Sequence, residues 1–277
     1  MSILITGGTG FLGRGLVRRL LLQGHQRICI YSRGEYAQHV MQDITFAQDK
    51  DRLRFFVGDV RDQGRLERAM QGVRIVVHAA ALKRIEVGHM NPDEMIKTNI
   101  LGSMNVIEAA RRARVGRIVF VSSDKAYQPI SPYGQSKALA ESLFLSVNRM
   151  NLGPTAHVCR YGNVSNSTGS IIPKWRALIE AGQPITITDP NATRFWMTID
   201  QAVELVESAM YGDKEMLIPR LPAYTVGDLA DAMDATNRIV AGLPAHEKLH
   251  ECMAEGNCSN TARRMSVDEL REALKHV

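Results

Sequence analysis

The sequence predicts an α/β fold, a doubly wound parallel sheet followed by a smaller C-terminal lobe. Three observations predict it. Short apolar runs recur up to about residue 160, helical patterns separate them, and a glycine-rich turn joins the first run to the first helix. Strands buried on both faces read as continuous apolar runs, and helical crossovers between them make the sheet parallel.

Taken in order, Ser2–Thr6 reads as a buried strand, Phe11–Gln23 as an amphipathic helix and Arg27–Tyr31 as a second strand. Leu53–Val57 is a third strand, Asp62–Met70 a helix and Arg74–His78 a fourth strand. A long helix over about Pro92–Arg112 leads to a fifth strand, Arg117–Val121. Another spans about Tyr133–Met150, and Thr155–Cys159 is the sixth strand. Residues 1–160 are therefore assigned to the sheet domain. Residues 161–277, rich in Gly, Pro and Asn, are assigned to a smaller substrate-binding lobe. It holds short strands at Ile185–Ile187 and Met216–Ile218, while about 196–212, with the helix Asp200–Tyr211, returns to the main sheet.

Composition excludes several classes. The 277 residues are 45% hydrophobic and 23% charged, the make-up of an ordinary soluble globular protein. The net charge of +5 is scattered. Its two clusters, Arg111-Arg112-Ala113-Arg114 and Arg263-Arg264, read as solvated helix ends, and without interleaved aromatics no nucleic-acid partner is expected. A mild positive bias suits an anionic cofactor and substrate. No apolar run nears the roughly 18 residues of a membrane span, and a strand from the outset leaves no room for a signal peptide. A cytoplasmic protein is expected. Cys29, Cys159, Cys252 and Cys258 show neither metal-ligand spacing nor a disulfide framework; Cys29 and Cys159 read as core thiols, and no metal is expected.

The turn Thr6-Gly7-Gly8-Thr9-Gly10-Phe11-Leu12-Gly13 lies between a strand and a helix, the context that makes a Rossmann dinucleotide fingerprint. Gly7, Thr9, Gly10, Phe11, Leu12 and Gly13 are assigned to the pyrophosphate, whose charge the helix N-terminus would hold. An acidic residue ending the second strand would bind the ribose 2′-hydroxyl of NAD. Ser32 and Arg33 stand there instead and suit a 2′-phosphate, so NADP is expected, with NAD the less favoured cofactor. Asp59 and Val60 after the third strand are assigned to the adenine. Ala79, Ala80, Ala81 and Lys83 after the fourth, with Asn99, Tyr133 and Lys137, complete the cofactor set.

Tyr133 and Lys137, four apart at a helix start, share one face. A nearby ammonium and a positive nicotinamide favour the phenolate, making Tyr133 a base, and Ser123 at the end of the fifth strand can hydrogen-bond the reacting hydroxyl. These features resemble the extended short-chain dehydrogenase/reductase family. Ser122-Ser123-Asp124-Lys125-Ala126 and Pro132-Tyr133-Gly134-x-Ser136-Lys137 are similar to its UDP-N-acetylglucosamine 4,6-dehydratase branch, which includes C5-inverting enzymes of polysaccharide biosynthesis. The likeness extends over Ala80-Ala81-Leu82-Lys83, Lys97-Thr98-Asn99, Arg160-Tyr161-Gly162-Asn163-Val164, Thr193-Arg194-Phe195-Trp196-Met197-Thr198 and Glu247-Lys248-Leu249-His250-Glu251.

The resemblance implies C4 oxidation, removal of the acidified C5 proton by Lys125, protonation of the departing C6 hydroxyl by Asp124, and return of the hydride to C6. Burial is expected to move the two pKa values toward neutrality, Lys125 downward and Asp124 upward. It also implies that Asn163 and Arg194 approach the phosphates of a UDP-sugar. Whether Lys83 faces the sugar stays open, as does Glu247, either a ribose ligand or a helix-start carboxylate. Two departures stand out. Pro244-Ala245-His246 replaces the family's Arg-Pro-Gly, and Cys258 replaces an aromatic. The reading is an NADP-dependent UDP-sugar 4,6-dehydratase acting on UDP-N-acetylglucosamine. A 4-epimerase of the same superfamily is the alternative, and a non-catalytic NADP-binding regulator the remote one. The two long helices commonly form a dimer bundle in this superfamily, so a homo-oligomer is expected.

Overall fold

The computed structural model describes residues 1–151 and 153–277. The strands are β1 Ser2–Thr6, β2 Arg27–Ser32, β3 Leu53–Val57, β4 Ile75–His78, β5 Arg117–Val121, β6 Thr155–Cys159, β7 Ile185–Ile187, β8 Thr193–Phe195, β9 Met216–Leu217, β10 Ala223–Thr225, β11 Arg238–Val240, β12 Cys252–Ala254 and β13 Asn257–Cys258. The helices are α1 Phe11–Leu22, α2 Glu35–His39, α3 Gln63–Ala69, α4 Ile85–Met90, α5 Pro92–Met95, α6 Gly102–Arg112, α7 Pro132–Met150, α8 Ile171–Glu180, α9 Ile199–Tyr211, α10 Val226–Ala232 and α11 Val267–Leu274. Among the described residues, seven strands form one parallel sheet in the order β3-β2-β1-β4-β5-β6-β9.

Both faces of the sheet are covered, which explains its apolar strands. Ile3 and Ile5 of β1, with Ile28 and Ile30 of β2, pack under Leu16, Val17 and Leu20 of α1 and Val203 and Val206 of α9. Leu4, Cys29 and Tyr31 face the other way, against Leu66 of α3, Val106 and Ala109 of α6, and Phe144 of α7. Each fully buried Leu, Ile, Val or Phe side chain among them contributes about 1.5–3 kcal/mol. A separate core in the C-terminal region joins Trp175 of α8, Ile185 and Ile187 of β7, Leu229 of α10 and Leu270 of α11.

Three differences from the sequence reading have physical causes. Met216–Leu217, expected in a strand of the smaller lobe, is the seventh strand of the main sheet: the amide of Val158 binds the carbonyl of Glu215 at 2.7 Å, and that of Arg160 binds Leu217 at 3.0 Å. Helix α9 lays the chain back across the sheet, and β9 then pairs with the open edge of β6. The expected long helix is interrupted by a π-helical segment, Ile96–Leu101, whose wider turn turns Thr98 and Asn99 inward, onto Arg61 and Leu82. Cys252 and Cys258, expected outside any disulfide framework, are joined by a disulfide across the β12–β13 hairpin, where antiparallel pairing sets the two cysteines opposite each other. Cys29 and Cys159 are buried free thiols, as the sequence indicated.

Candidate active site

The strand order reverses between β1 and β4, and the crevice beyond the C-terminal ends of such strands is where α/β sheets bind ligands. A cleft of about 1000 Å³ lies there. The glycine turn shapes its floor. Gly7 has φ +68°, and a Cβ on it would stand 2.9 Å from the backbone of Ala80. A Cβ on Gly13 would collide with the backbone of Gly8, so glycine lets α1 start tight against the turn. Gly10 caps α1 without a side-chain hydrogen bond, leaving first-turn amides free, and no acidic residue lies in that turn. Free amides at a helix N-terminus and backbone open to close approach fit the pyrophosphate of a dinucleotide.

Gly7, Thr9, Gly10, Phe11, Leu12, Gly13, Ser32, Arg33, Asp59, Val60, Ala79, Ala80, Ala81, Lys83, Tyr133 and Lys137 all line this cleft. Asn99 does not. It is buried, and its amide is spent on the backbone of Leu82, both N–H and C=O, and on Ser136 Oγ, so it braces the loop after β4. Arg33 is half-exposed just past the end of β2, 3.8 Å from Asp59. Ser32 Oγ accepts a hydrogen bond from Gln38.

The reactive groups meet at the end of β5. Ser131 caps α7, accepting a hydrogen bond from the amide of Gly134, with Pro132 in the first turn, and this fixes where Tyr133 and Lys137 enter the site. A side chain on Gly134 would strike the carbonyl oxygen of Lys125, so glycine here brings the Asp124–Lys125 segment against α7. Ser123 Oγ donates to Asp124 Oδ1 at 2.9 Å, and Lys125 Nζ donates to the same oxygen at 3.1 Å. Asp124 is 1% exposed. Its Oδ2 has no hydrogen-bond partner among the described residues.

Electrostatics revise two expectations. Burial alone would lower the pKa of Lys125, but the carboxylates of Asp124 and Glu251 outweigh it and hold it above the usual lysine value. Lys125 is thus an ammonium in this state, not the neutral amine that burial alone would give. Burial raises the Tyr133 pKa, opposed by the Lys125 charge and a hydrogen bond with Ser123. The cation acting on Tyr133 here is therefore Lys125 rather than Lys137. Lys137 points back, donating to the carbonyl of Val121 at 2.7 Å over the ring of Phe120, and burial lowers its pKa to about 7 against the pull of Glu141.

Asn163 also lines the cleft, and its Oδ1 accepts from Lys125 Nζ at 3.3 Å. Lys83 Nζ donates to the carbonyl of Thr168, and burial lowers its pKa, with help from Arg84. Arg194 and Glu247 lie beyond the cleft lining and pair with each other at 3.7 Å. Arg194 also donates to the carbonyls of Thr193 and Leu249. His246, in the place of the family's arginine, sets its ring 4.7 Å from that of His89. Glu251, to which the sequence assigns no role, is 2% exposed and reaches Lys125 at 3.4 Å. The signal was its place at the end of the Glu-Lys-Leu-His-Glu run, but only the fold of the hairpin brings it to Lys125.

Comparison with known proteins agrees with this fold. Residues 3–269 match the family model described as polysaccharide biosynthesis protein. The chain is 40% identical over 269 residues to a UDP-N-acetylglucosamine 4,6-dehydratase (inverting) of Campylobacter jejuni, covering 94% of this chain and 79% of that one. It is also 40% identical over 240 residues to a UDP-glucose 4-epimerase of Rickettsia bellii, covering 84% and 70%. The X-ray structure of Pen from Bacillus thuringiensis superposes with a TM-score of 0.93 at 30% identity, covering 100% of this chain and 98% of that one. The chain therefore belongs to the polysaccharide biosynthesis protein family of extended short-chain dehydrogenases/reductases.

Proposed function

We propose that the chain is a nucleotide-sugar 4,6-dehydratase that takes UDP-N-acetylglucosamine to a UDP-4-keto-6-deoxy-N-acetylhexosamine, with NADP as cofactor. One observation carries the choice over a 4-epimerase: the Asp124–Lys125 pair beside Ser123 and Tyr133. An epimerase needs only Ser123, Tyr133 and Lys137. Burying a carboxylate and an ammonium costs several kcal/mol per ion, and replacing such a pair by apolar groups is often stabilising. An expensive pair at the reacting end of the cleft is explained by acid–base work.

A bound nicotinamide dinucleotide supplies a reversible hydride acceptor and a positive charge beside Tyr133. Tyr133, as phenolate, accepts the C4 hydroxyl proton. A proton hop from Lys125 Nζ to Asp124 Oδ1 leaves a neutral amine and a carboxylic acid, with no change in net charge. The amine then takes the C5 proton, the C5–H electrons form the C5=C6 bond, the C6–O bond breaks, and Asp124 protonates the departing hydroxyl to water. As C6 regains the hydride first taken from C4, Lys125 returns its proton to C5. The proton held by Tyr133 passes through Ser123 to Asp124, which restores the resting pair. Arg194 and Asn163 are assigned to the diphosphate, Lys83 to the sugar side and Glu247 to the ribose. Exposed Ile96, Leu101, Met104 and Leu139 on the two long helices support a homo-oligomer.

The test is incubation with UDP-N-acetylglucosamine and catalytic NADP, with mass spectrometry of the product. Loss of one water without net nicotinamide reduction is expected. A product of unchanged mass supports the epimerase instead.

A further inference from the structure

Glu251 has no part in the steps above, yet it is almost fully buried beside the group that must gain and lose a proton. Its Oε1 is 3.4 Å from Lys125 Nζ, and its Oε2 is 3.8 Å from Lys248 Nζ without a hydrogen-bond partner among the described residues. The backbone fixes it. Ser259 Oγ accepts from the Glu251 amide at 2.9 Å, and the Ser259 amide donates to the Glu251 carbonyl at 2.7 Å. Lys248 is itself tied down, donating to the carbonyl of Tyr127 at 2.6 Å. A buried carboxylate held this firmly against an ammonium is an expensive arrangement for packing alone.

We infer that Glu251 is a positioning residue that keeps the shared proton resident on the Asp124–Lys125 pair. The inference rests on the dehydratase reading for its use, but not for its physics. Elimination needs one proton in that pair, first on Asp124 and afterwards on Lys125. If the pair loses it to solvent, Asp124 has nothing to give the leaving hydroxyl. A fixed negative charge at 3.4 Å opposes that loss. The groups facing Lys125 are Asp124 from its own segment, Glu251 from the hairpin, Arg194 from β8, Tyr133 from α7 and Tyr224 from β10, with the neutral Asn163. Arg194 pushes the proton off and is itself partly balanced by Glu247. Asp124 and Glu251 hold it on.

The test reads Lys125 directly. Only a neutral amine reacts with acetic anhydride, so competitive labelling near neutral pH, followed by peptide mass spectrometry, reports the neutral fraction. An opposite charge within 4–6 Å is worth about 1–3 pKa units. In Glu251→Gln, Lys125 labelling should rise at least about tenfold, with Lys83 as an unchanged internal reference and Glu251→Asp returning most of the way. The alkaline limb of kcat for water loss should move to lower pH, whereas a merely structural role would lower kcat at every pH and leave the limb in place. In the parent protein, Lys125 should label more slowly than Lys83 although both line the cleft. That comparison needs no variant to fold, and equal rates there overturn the inference. So does an unchanged Lys125 rate in folded Glu251→Gln. If labelling behaves as stated and no water is lost from the sugar, the dehydratase reading fails while Glu251's hold on Lys125 stands.

Discussion

Replacing Lys125 with Ala tests both the chemistry and the electrostatics of the site. The ammonium lies 3.1 Å from Asp124 and 3.4 Å from Glu251. At an effective dielectric of about 20, each attraction is about 5 kcal/mol, and the desolvation of two buried carboxylates and a partly buried ammonium offsets most of it. Removing the cation strands Asp124 and leaves Glu251 only its longer contact with Lys248, which costs about 3–5 kcal/mol of stability. Carboxylates left so should bind protons more tightly folded than unfolded. The penalty is then absent below the unfolded carboxylate pKa and grows as pH rises through the folded one. Urea unfolding should show the variant close to the parent near pH 4 and well below it near pH 7. Catalytically, loss of a positioned base costs about 10²–10⁴-fold, or about 3–5 kcal/mol of barrier. With Tyr133 intact, the variant should still oxidise C4 in a single turnover, seen as reduced nicotinamide that persists. It should release little 4-keto-6-deoxy product and exchange the C5 hydrogen with deuterated water far more slowly. A folded, cofactor-loaded Lys125→Ala protein that makes product and exchanges C5 at the parent rate would refute the reasoning.

Two further outcomes follow from the same geometry. Lys137 has its pKa lowered to about 7 from 10.5 by burial, so unfolding takes up a proton between those values and stability rises with pH across that window. Lys137→Met should abolish activity, stabilise the fold most below about pH 7, and flatten that slope in urea titrations; an unchanged slope contradicts the burial argument. Arg33→Ala should remove most of any preference for NADP over NAD, about 1–3 kcal/mol by calorimetry, the scale of a charge-assisted hydrogen bond. Equal NADP affinity in both proteins removes Arg33 from the 2′-phosphate.

The sheet was legible because its strands are buried on both faces and so are written as apolar runs between turns; β1, β3, β5 and β6 fall where those runs do. Residues 33–52 were not, because α2 and the short π- and 3₁₀-helical turns after it mix polar and apolar residues without a sustained period. The glycine turn and the Ser123, Tyr133 and Lys137 set were legible through spacing along one or two elements. The protonation of Lys125 was not, since Glu251, a residue far along the chain, joins Asp124 in outweighing burial. Likewise Cys252 and Cys258 carry no spacing signal of their own; only the pairing of β12 with β13 makes them partners.

The seventh strand bears on how the chain reaches its native state. Until Met216 and Leu217 are in place, β6 is an open edge with unpaired amides and carbonyls, and the surface of Leu16 and Leu20 lacks its cover from Val203 and Val206. Edges of that kind recruit other chains. A polypeptide emerging from a ribosome therefore passes through a stretch, from Cys159 to Leu217, in which five or six strands can pair but the sheet is neither closed nor coated. Fragments ending in that stretch should aggregate, and chaperone dependence should fall once α9 and β9 have emerged. The two cores mature together, because the segment that finishes the first is threaded through the second.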